Sequence, residues 1–222
     1  MTVRVVLKGL VKKEDISSIV DLKVEYAISH RKDFTIIDVE GEDEEIFHNF
    51  LKQKYEIGHL MGDLNLNTYQ GRLIDVGKYG FGVFCDIGAE KDVLISLNSL
   101  REVFGGKRST REYIFSKGLI EGLCLDVDLV RIERGTGKIW GSINMEWSQR
   151  YLQDRNITVS KVAKDQLMDL INGTSFKSTL EVMDLCKDSF IVKCGEGIDP
   201  PGIVHIIGSK LPKARLGIVG EI

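Results

Sequence analysis

Between residues 71 and 88 apolar side chains fall on every second position, at Leu73, Val83, Cys85 and Ile87, with Ile74 and Val76 beside them. The glycine-rich Gly77-Lys78-Tyr79-Gly80 separates the two runs. Period-two alternation around a glycine turn predicts a β-hairpin. A longer alternating run over 123–132, a turn through Gly135 and Gly137, and an apolar run over 139–143 predict two more strands.

Before this region, the β-branched run 3–7 and the run 34–39 predict strands. Ile16, Ile19, Val20, Val24 and Ala27 stand at helical spacing between polar flanks, so a helix is expected there. The acidic run 40–45 suits a turn and a helix start, where carboxylates face exposed backbone N–H groups. Ile46, Phe47, Phe50, Leu51 and Tyr55 continue that helix. The expected result is two helices on one face of a small sheet. After the hairpin, 93–97 reads as a strand, and 105–117 as an insertion with a short helix capped by Ser109 or Thr110. Toward the C-terminus Val162, Leu167, Leu170 and Ile171 predict a helix ending near Gly173. The runs 179–186 and 189–194 form a hairpin about Lys187-Asp188, and 203–207 and 216–219 are expected to be strands.

The expected class is α+β, with a five-stranded barrel flanked by two small α+β domains. The divisions are 1–60, a linker over 61–67, the barrel over 68–150 with its helical insertion near 105–120, and a C-terminal domain with a β-hairpin over 151–222.

Phe81-Gly82-Val83-Phe84-Cys85-Asp86-Ile87-Gly88 resembles the ribosomal protein S1-type domain, an oligonucleotide-binding-fold barrel in which this stretch reads Phe-Gly-Ala-Phe-Val-Asp-Ile-Gly. The likeness continues over 92–100, where the family has Gly-Leu-Val-His-Ile-Ser-x-Leu, and at Lys138-Ile139-Trp140-Gly141-Ser142, where it has Arg-Ile-x-Leu-Ser. It departs in a first hairpin about two residues longer, in Ser96 at a position often held by a base-contacting His, and in the insertion. The acidic helix start followed by a divergent barrel also resembles an uncharacterised archaeal family of unknown function. The S1-type resemblance implies that Phe81 and Phe84 stack bases and that Lys138 stands at the family's Arg position.

Composition narrows the functional classes. The chain is 43% apolar, enough for packed cores, and no apolar run approaches a bilayer-spanning length. Its start lacks the layout of a signal peptide, so a soluble, cytoplasmic protein is expected. The net charge of −3 is made of −3 over 1–60, +1 over 68–150 and zero over 151–222. Bulk electrostatics therefore cannot drive nucleic-acid binding, but a local basic stripe can. Cys85, Cys124, Cys186 and Cys194 never form Cys-x-x-Cys and sit in apolar runs, so they are expected as buried free thiols. The histidines show no metal-ligand spacing, and Asp126 and Asp128, on one strand face, read as a solvated pair. Gly105-Gly106-Lys107-Arg108 lacks the phosphate-loop pattern, as does Gly135-Thr136-Gly137-Lys138. No nucleophile, base and orienting group fall together, and neither enzyme activity nor a cofactor or metal is expected.

Single-stranded RNA offers base faces and phosphates, which aromatic rings flanked by cations recognise. Phe81, Phe84 and Tyr79 are the expected stacking platforms, with Arg72, Lys78, Arg131 and Lys138 as flanking cations, Ser96 at the base-contacting position, and Lys107 and Arg108 from the insertion. Lys210, Lys213 and Arg215 make a second basic cluster. The expectation is a single-stranded RNA-binding accessory protein of translation, RNA decay or transcription, joined to a larger RNA–protein machine and to no membrane. The alternative is a protein-interaction adaptor whose barrel has lost RNA binding.

Overall fold

A computed structural model describes residues 3–17, 22–31 and 34–220. The chain divides into two compact units. One comprises residues 1–64 with 87–91, and the other 65–86 with 92–222.

The first unit contains β1 (Val3–Lys8), α1 (Lys13–Ser17), β2 (Val24–Arg31), β3 (Phe34–Gly41) and α2 (Glu44–Lys54), with an antiparallel sheet in the order β1-β3-β2. Val5, Leu7, Ile37 and Val39 alternate inward and pack with Ile16, Phe47 and Leu51. The Thr35 hydroxyl accepts from the Val11 amide at 2.8 Å and donates to the Gly9 carbonyl at 2.8 Å, tying the chain after β1 to the sheet. The helix expected through Val24 and Ala27 is a correction. Among the described residues of this stretch only Lys13–Ser17 is helical, Ile19 and Val20 lie outside the described residues, and Val24–Arg31 is a strand paired with β3 along its whole length. Val24, Tyr26 and Ile28 satisfy period two as well as other residues satisfy helical spacing, and the edge of β3 decides between them.

The second unit begins with β4 (Thr68–Ile74), β5 (Gly82–Asp86) and β6 (Val93–Ser96). It continues through α3 (Leu97–Phe104), α4 (Thr110–Ser116), β7 (Cys124–Glu133) and β8 (Lys138–Ile143). The five strands close as β4-β5-β6-β8-β7, with β7 returning to β4 and β6 parallel to β8. Leu73, Val83, Cys85, Val93, Ile95, Leu125, Val127 and Ile139 fill the interior, none more than 2% exposed. Burying each such side chain stabilises by about 1.5–3 kcal/mol. Gly141 faces inward where space is short: a Cβ there would lie 2.6 Å from Val127 Cγ1 and 2.7 Å from Val93 Cγ1. The strand expected over 93–97 stops at Ser96, which caps α3.

The chain then forms α5 (Met145–Tyr151), β9 (Ile157–Ser160), α6 (Lys164–Asn172), β10 (Leu180–Cys186), β11 (Ser189–Cys194), α7 (Pro200–Lys210) and β12 (Arg215–Ile218). The antiparallel sheet runs β10-β11-β9-β12, and its core joins Ile157, Val159 and Phe190 to Leu167, Ile203 and Ile207 of the helices. The class is thus α+β around a closed five-stranded barrel. The strand expected over 203–207 is a second correction, because these residues lie inside α7. Asp199 caps that helix by accepting from the Gly202 amide, and Pro200 begins it. Proline preset at the first turn and a capped N-terminus outweigh the β preference of the isoleucines.

The cysteine expectation is overturned in half. Cys85 is free and buried and Cys194 is free but only half-buried, whereas Cys124 of β7 and Cys186 of β10 form a disulfide. A backbone-to-side-chain bond lies beside it: the Cys124 amide donates to Ser189 Oγ at 3.0 Å, which holds the β10–β11 hairpin against the barrel. Ser160 Oγ donates to the Glu121 carbonyl and Thr158 Oγ1 to that of Gly118, each at 2.6 Å, continuing the same seam. Disulfides persist in oxidising compartments and inside hyperthermophiles, and are rare in other cytosols. Among the described residues no helix is long and apolar enough to cross a membrane.

The bond spans 62 residues of sequence. Disulfides typically contribute about 2–4 kcal/mol, so Cys186→Ser should lower the unfolding free energy by that amount in urea titrations without reductant. Dithiothreitol should weaken the unsubstituted protein comparably and leave the variant unchanged. Equal stability of the two proteins in oxidising buffer would contradict this role.

Candidate nucleic-acid interface

Barrel closure decides which side chains face outward. On β5, Val83 and Cys85 point inside, so Phe84 between them points out. Its register partners are Ile74 on β4 and Leu94 on β6, and Leu94 pairs in turn with Trp140 on β8. Trp140 stands opposite Arg131 of β7. A continuous outward row of Ile74, Phe84, Leu94, Trp140 and Arg131 therefore crosses all five strands. A bulge between Leu129 and Arg131 completes it: Leu129 opposes inward-facing Gly141, and the extra residue Val130 lets Arg131 oppose outward-facing Trp140. The Arg131 guanidinium carbon lies 5.0 Å from the indole centroid and pairs with Glu133, whose Oε2 also accepts from Thr136 at 2.9 Å.

The β4–β5 turn adds two rings to this wall. Asp75, in the left-handed region at φ 53°, begins it, and the Lys78 amide donates to the Asp75 carbonyl at 3.1 Å. Phe81 is 54% exposed. Tyr79 packs on Phe81 with centroids 5.2 Å apart, and Phe84 stands edge-on to both, at 5.4 Å from Tyr79 and 6.2 Å from Phe81. Such tilted and edge-to-face contacts brace the rings against one another without covering the outer faces. The Lys78 ammonium lies 5.3 Å from the Tyr79 centroid and 3.1 Å from Asp75 Oδ2, and this carboxylate contact raises its pKa above the ordinary lysine value.

The insertion is pinned to the same turn. Ser109, one of the two expected caps, starts α4 with a reciprocal bond to Glu112: its amide donates to Glu112 Oε2 at 2.7 Å and its hydroxyl accepts from the Glu112 amide at 3.3 Å. Thr110 instead donates its hydroxyl to the Gly80 carbonyl at 2.7 Å. Lys107 and Arg108 are three and two residues from that anchor, within about 11 Å of chain. Arg108 also lines a separate cavity of about 400 Å³ with Gly105, Gly106 and Tyr113.

Of the ten residues expected at the site, Lys78, Tyr79, Phe81 and Phe84 form one cluster, with Lys107 and Arg108 tethered to it through Thr110. Arg131 belongs to the same wall, and exposed Lys138 begins β8 opposite Glu133. The other two have structural engagements. Ser96 Oγ accepts from the Ser99 amide at 3.2 Å as the α3 cap, and Arg72 is paired with Asp188 at 2.5 Å. Leu94 and Trp140 were not expected. Alternation about inward Ile139 and Gly141 places Trp140 outside, but the parallel β6–β8 pairing that sets it in line with Phe84 has no local signal.

Asp128, one of the paired acids, accepts from Thr68 Oγ1 at 2.6 Å and from Asn144 Nδ2 at 3.1 Å, so it joins strand to helix start. Among the described residues no cluster of three or more His, Cys, Asp or Glu side chains is placed to hold a metal ion. No protein-family model matches the chain, and no curated protein matches it.

Burial, with Asp128 nearby, raises the Asp126 carboxyl above its ordinary value of 3.8. Folding therefore disfavours its charged form, so stability from this group is greatest below pH 3.8 and falls as pH rises through the higher folded value. Asp126→Asn should raise the melting temperature at pH 7 and lose that advantage on acidification below about pH 4. A difference that does not change with pH would contradict this.

Proposed function

We propose that this protein binds single-stranded RNA on the outer wall of the barrel, as an accessory of RNA metabolism. The observation that carries the reading is the row Phe84, Leu94, Trp140 joined to exposed Phe81, with cations at both ends. Unpaired bases need flat apolar faces, and phosphates need nearby positive charge; this wall offers both in a protein too acidic to bind by net charge. The strand order, with its parallel β6–β8 pair, is consistent with the oligonucleotide-binding fold, which uses its second and third strands and two adjoining loops to bind oligonucleotides. Those elements are here β5, β6, the 75–81 turn and the 134–137 turn. The S1-type likeness over 81–88 points the same way.

Stacking contributes about 1–3 kcal/mol per base, so Phe84→Ala should weaken binding of a short oligouridylate roughly 5- to 150-fold by fluorescence polarisation. Binding should quench the fluorescence of Trp140, and Trp140→Phe should abolish that quench. Unchanged affinity in Phe84→Ala and in Phe81→Ala would reject the reading. Retained folding and absence of RNA binding in the unsubstituted protein would favour protein docking at this apolar wall instead.

A further inference from the structure

A basic groove beside the wall has no part in the reading so far. It encloses about 820 Å³ and is lined by Arg72, Lys161, Lys187, Lys210 and Lys213, with Asp188 the one acidic residue lining it. Lys161 follows β9 in the left-handed region at φ 60°, Lys187 forms the β10–β11 turn, and Lys210 and Lys213 bracket the α7–β12 connection. Three separate segments thus bring four ammonium groups to one concavity, and β4 adds the Arg72 guanidinium. Asp188 is taken by Arg72, and among the described residues none of the four lysines has a carboxylate partner. The groove therefore carries about four uncompensated positive charges within a chain of net charge −3. The C-terminal dipole of α7 accounts for Lys210 but not for the other three.

We propose that this groove holds the phosphodiester backbone of the RNA strand whose bases lie on the barrel wall. The inference rests on the single-stranded RNA reading above. Two features select phosphate as the ligand chemistry. The groove contains no aromatic ring to stack a base. Apart from Arg72, which is paired with Asp188, its charged donors are ammonium groups, point charges that suit phosphate oxygens without the planar fork that reads base edges. Continuity supplies the connection to the wall: Arg72 at the groove and Ile74 at the end of the aromatic row are alternate outward residues of β4, about 7 Å apart. A strand leaving the wall past Ile74 enters the groove. The wall sets the preference for unpaired bases, and the groove adds sequence-independent, salt-sensitive affinity for longer RNA.

The test uses the full chain, oligouridylates of about 6 and about 24 nucleotides, and polyglutamate as a second polyanion. The variant K161Q/K187Q/K210Q/K213Q keeps the side-chain stems and removes the charges, and K12Q/K13Q/K52Q/K54Q removes as many elsewhere; circular dichroism melts confirm that both fold. The groove variant should bind the long oligomer at least about tenfold more weakly, with a salt slope shallower by about 0.7 per lysine engaged, and bind the short oligomer normally. The control should match the unsubstituted protein on both. Lysine-dependent binding of the long oligomer without any binding of the short one would sustain the groove and reject the wall. Normal short-oligomer binding with no loss for the long one, or equal loss in the control, would overturn the groove and leave the wall. Polyglutamate binding that needs the four lysines, with RNA binding unaffected, would overturn it in favour of an acidic protein.

Discussion

Closure of five strands into a barrel is the constraint from which the surface chemistry follows. Once Val83, Cys85, Val93, Ile95 and Ile139 are committed to the interior, Phe84, Leu94 and Trp140 have nowhere to point but outward. The parallel pairing of β6 with β8 converts three sequence-distant residues into one row, and a single bulged residue in β7 brings Arg131 onto the indole at its end. The same interior leaves no room for a side chain at Gly141. Burial also pushes the Cys85 thiol well above its ordinary pKa, and this cysteine acts as a packing group inside the wall.

The C-terminal sheet does more than follow the barrel in sequence. Its hairpin is joined to β7 by a disulfide and to β4 by the Arg72–Asp188 pair, while Gln70 Nε2 reaches the Leu185 carbonyl at 3.3 Å. This seam holds the Lys187 turn beside β4 and so creates the basic groove. Arg72 has a carboxylate partner, Asp188, and that pair positions the hairpin. The contacts that hold the two sheets together also place Lys187.

What could be read from the chain alone depended on how far apart the deciding residues lie. The β4–β5 hairpin, its outward Phe84 and the aromatic turn follow from local alternation and glycine placement, and so were legible. Ile16 to Ala27 satisfies two periods at once, and only pairing with β3 resolves it as a short helix and a strand. The run 203–207 has strand composition, although the Asp199-Pro200-Pro201 start was a visible sign of a helix. The Cys124–Cys186 bond and the alignment of Trp140 with Phe84 depend on contacts between distant strands, for which spacing carries no information. Arg72 shows the limit for charges: its residue type announces an anion partner, but not whether that partner is phosphate or Asp188.

The central claim is that the aromatic wall is where RNA sits, and side-chain NMR during titration with a short oligouridylate addresses it most directly. The account predicts that the ring resonances of Tyr79, Phe81, Phe84 and Trp140 and the methyl resonances of Leu94 shift together and saturate at one ratio, while buried Phe190 and Trp147 stay fixed. Saturable binding that leaves those wall resonances unmoved would contradict it.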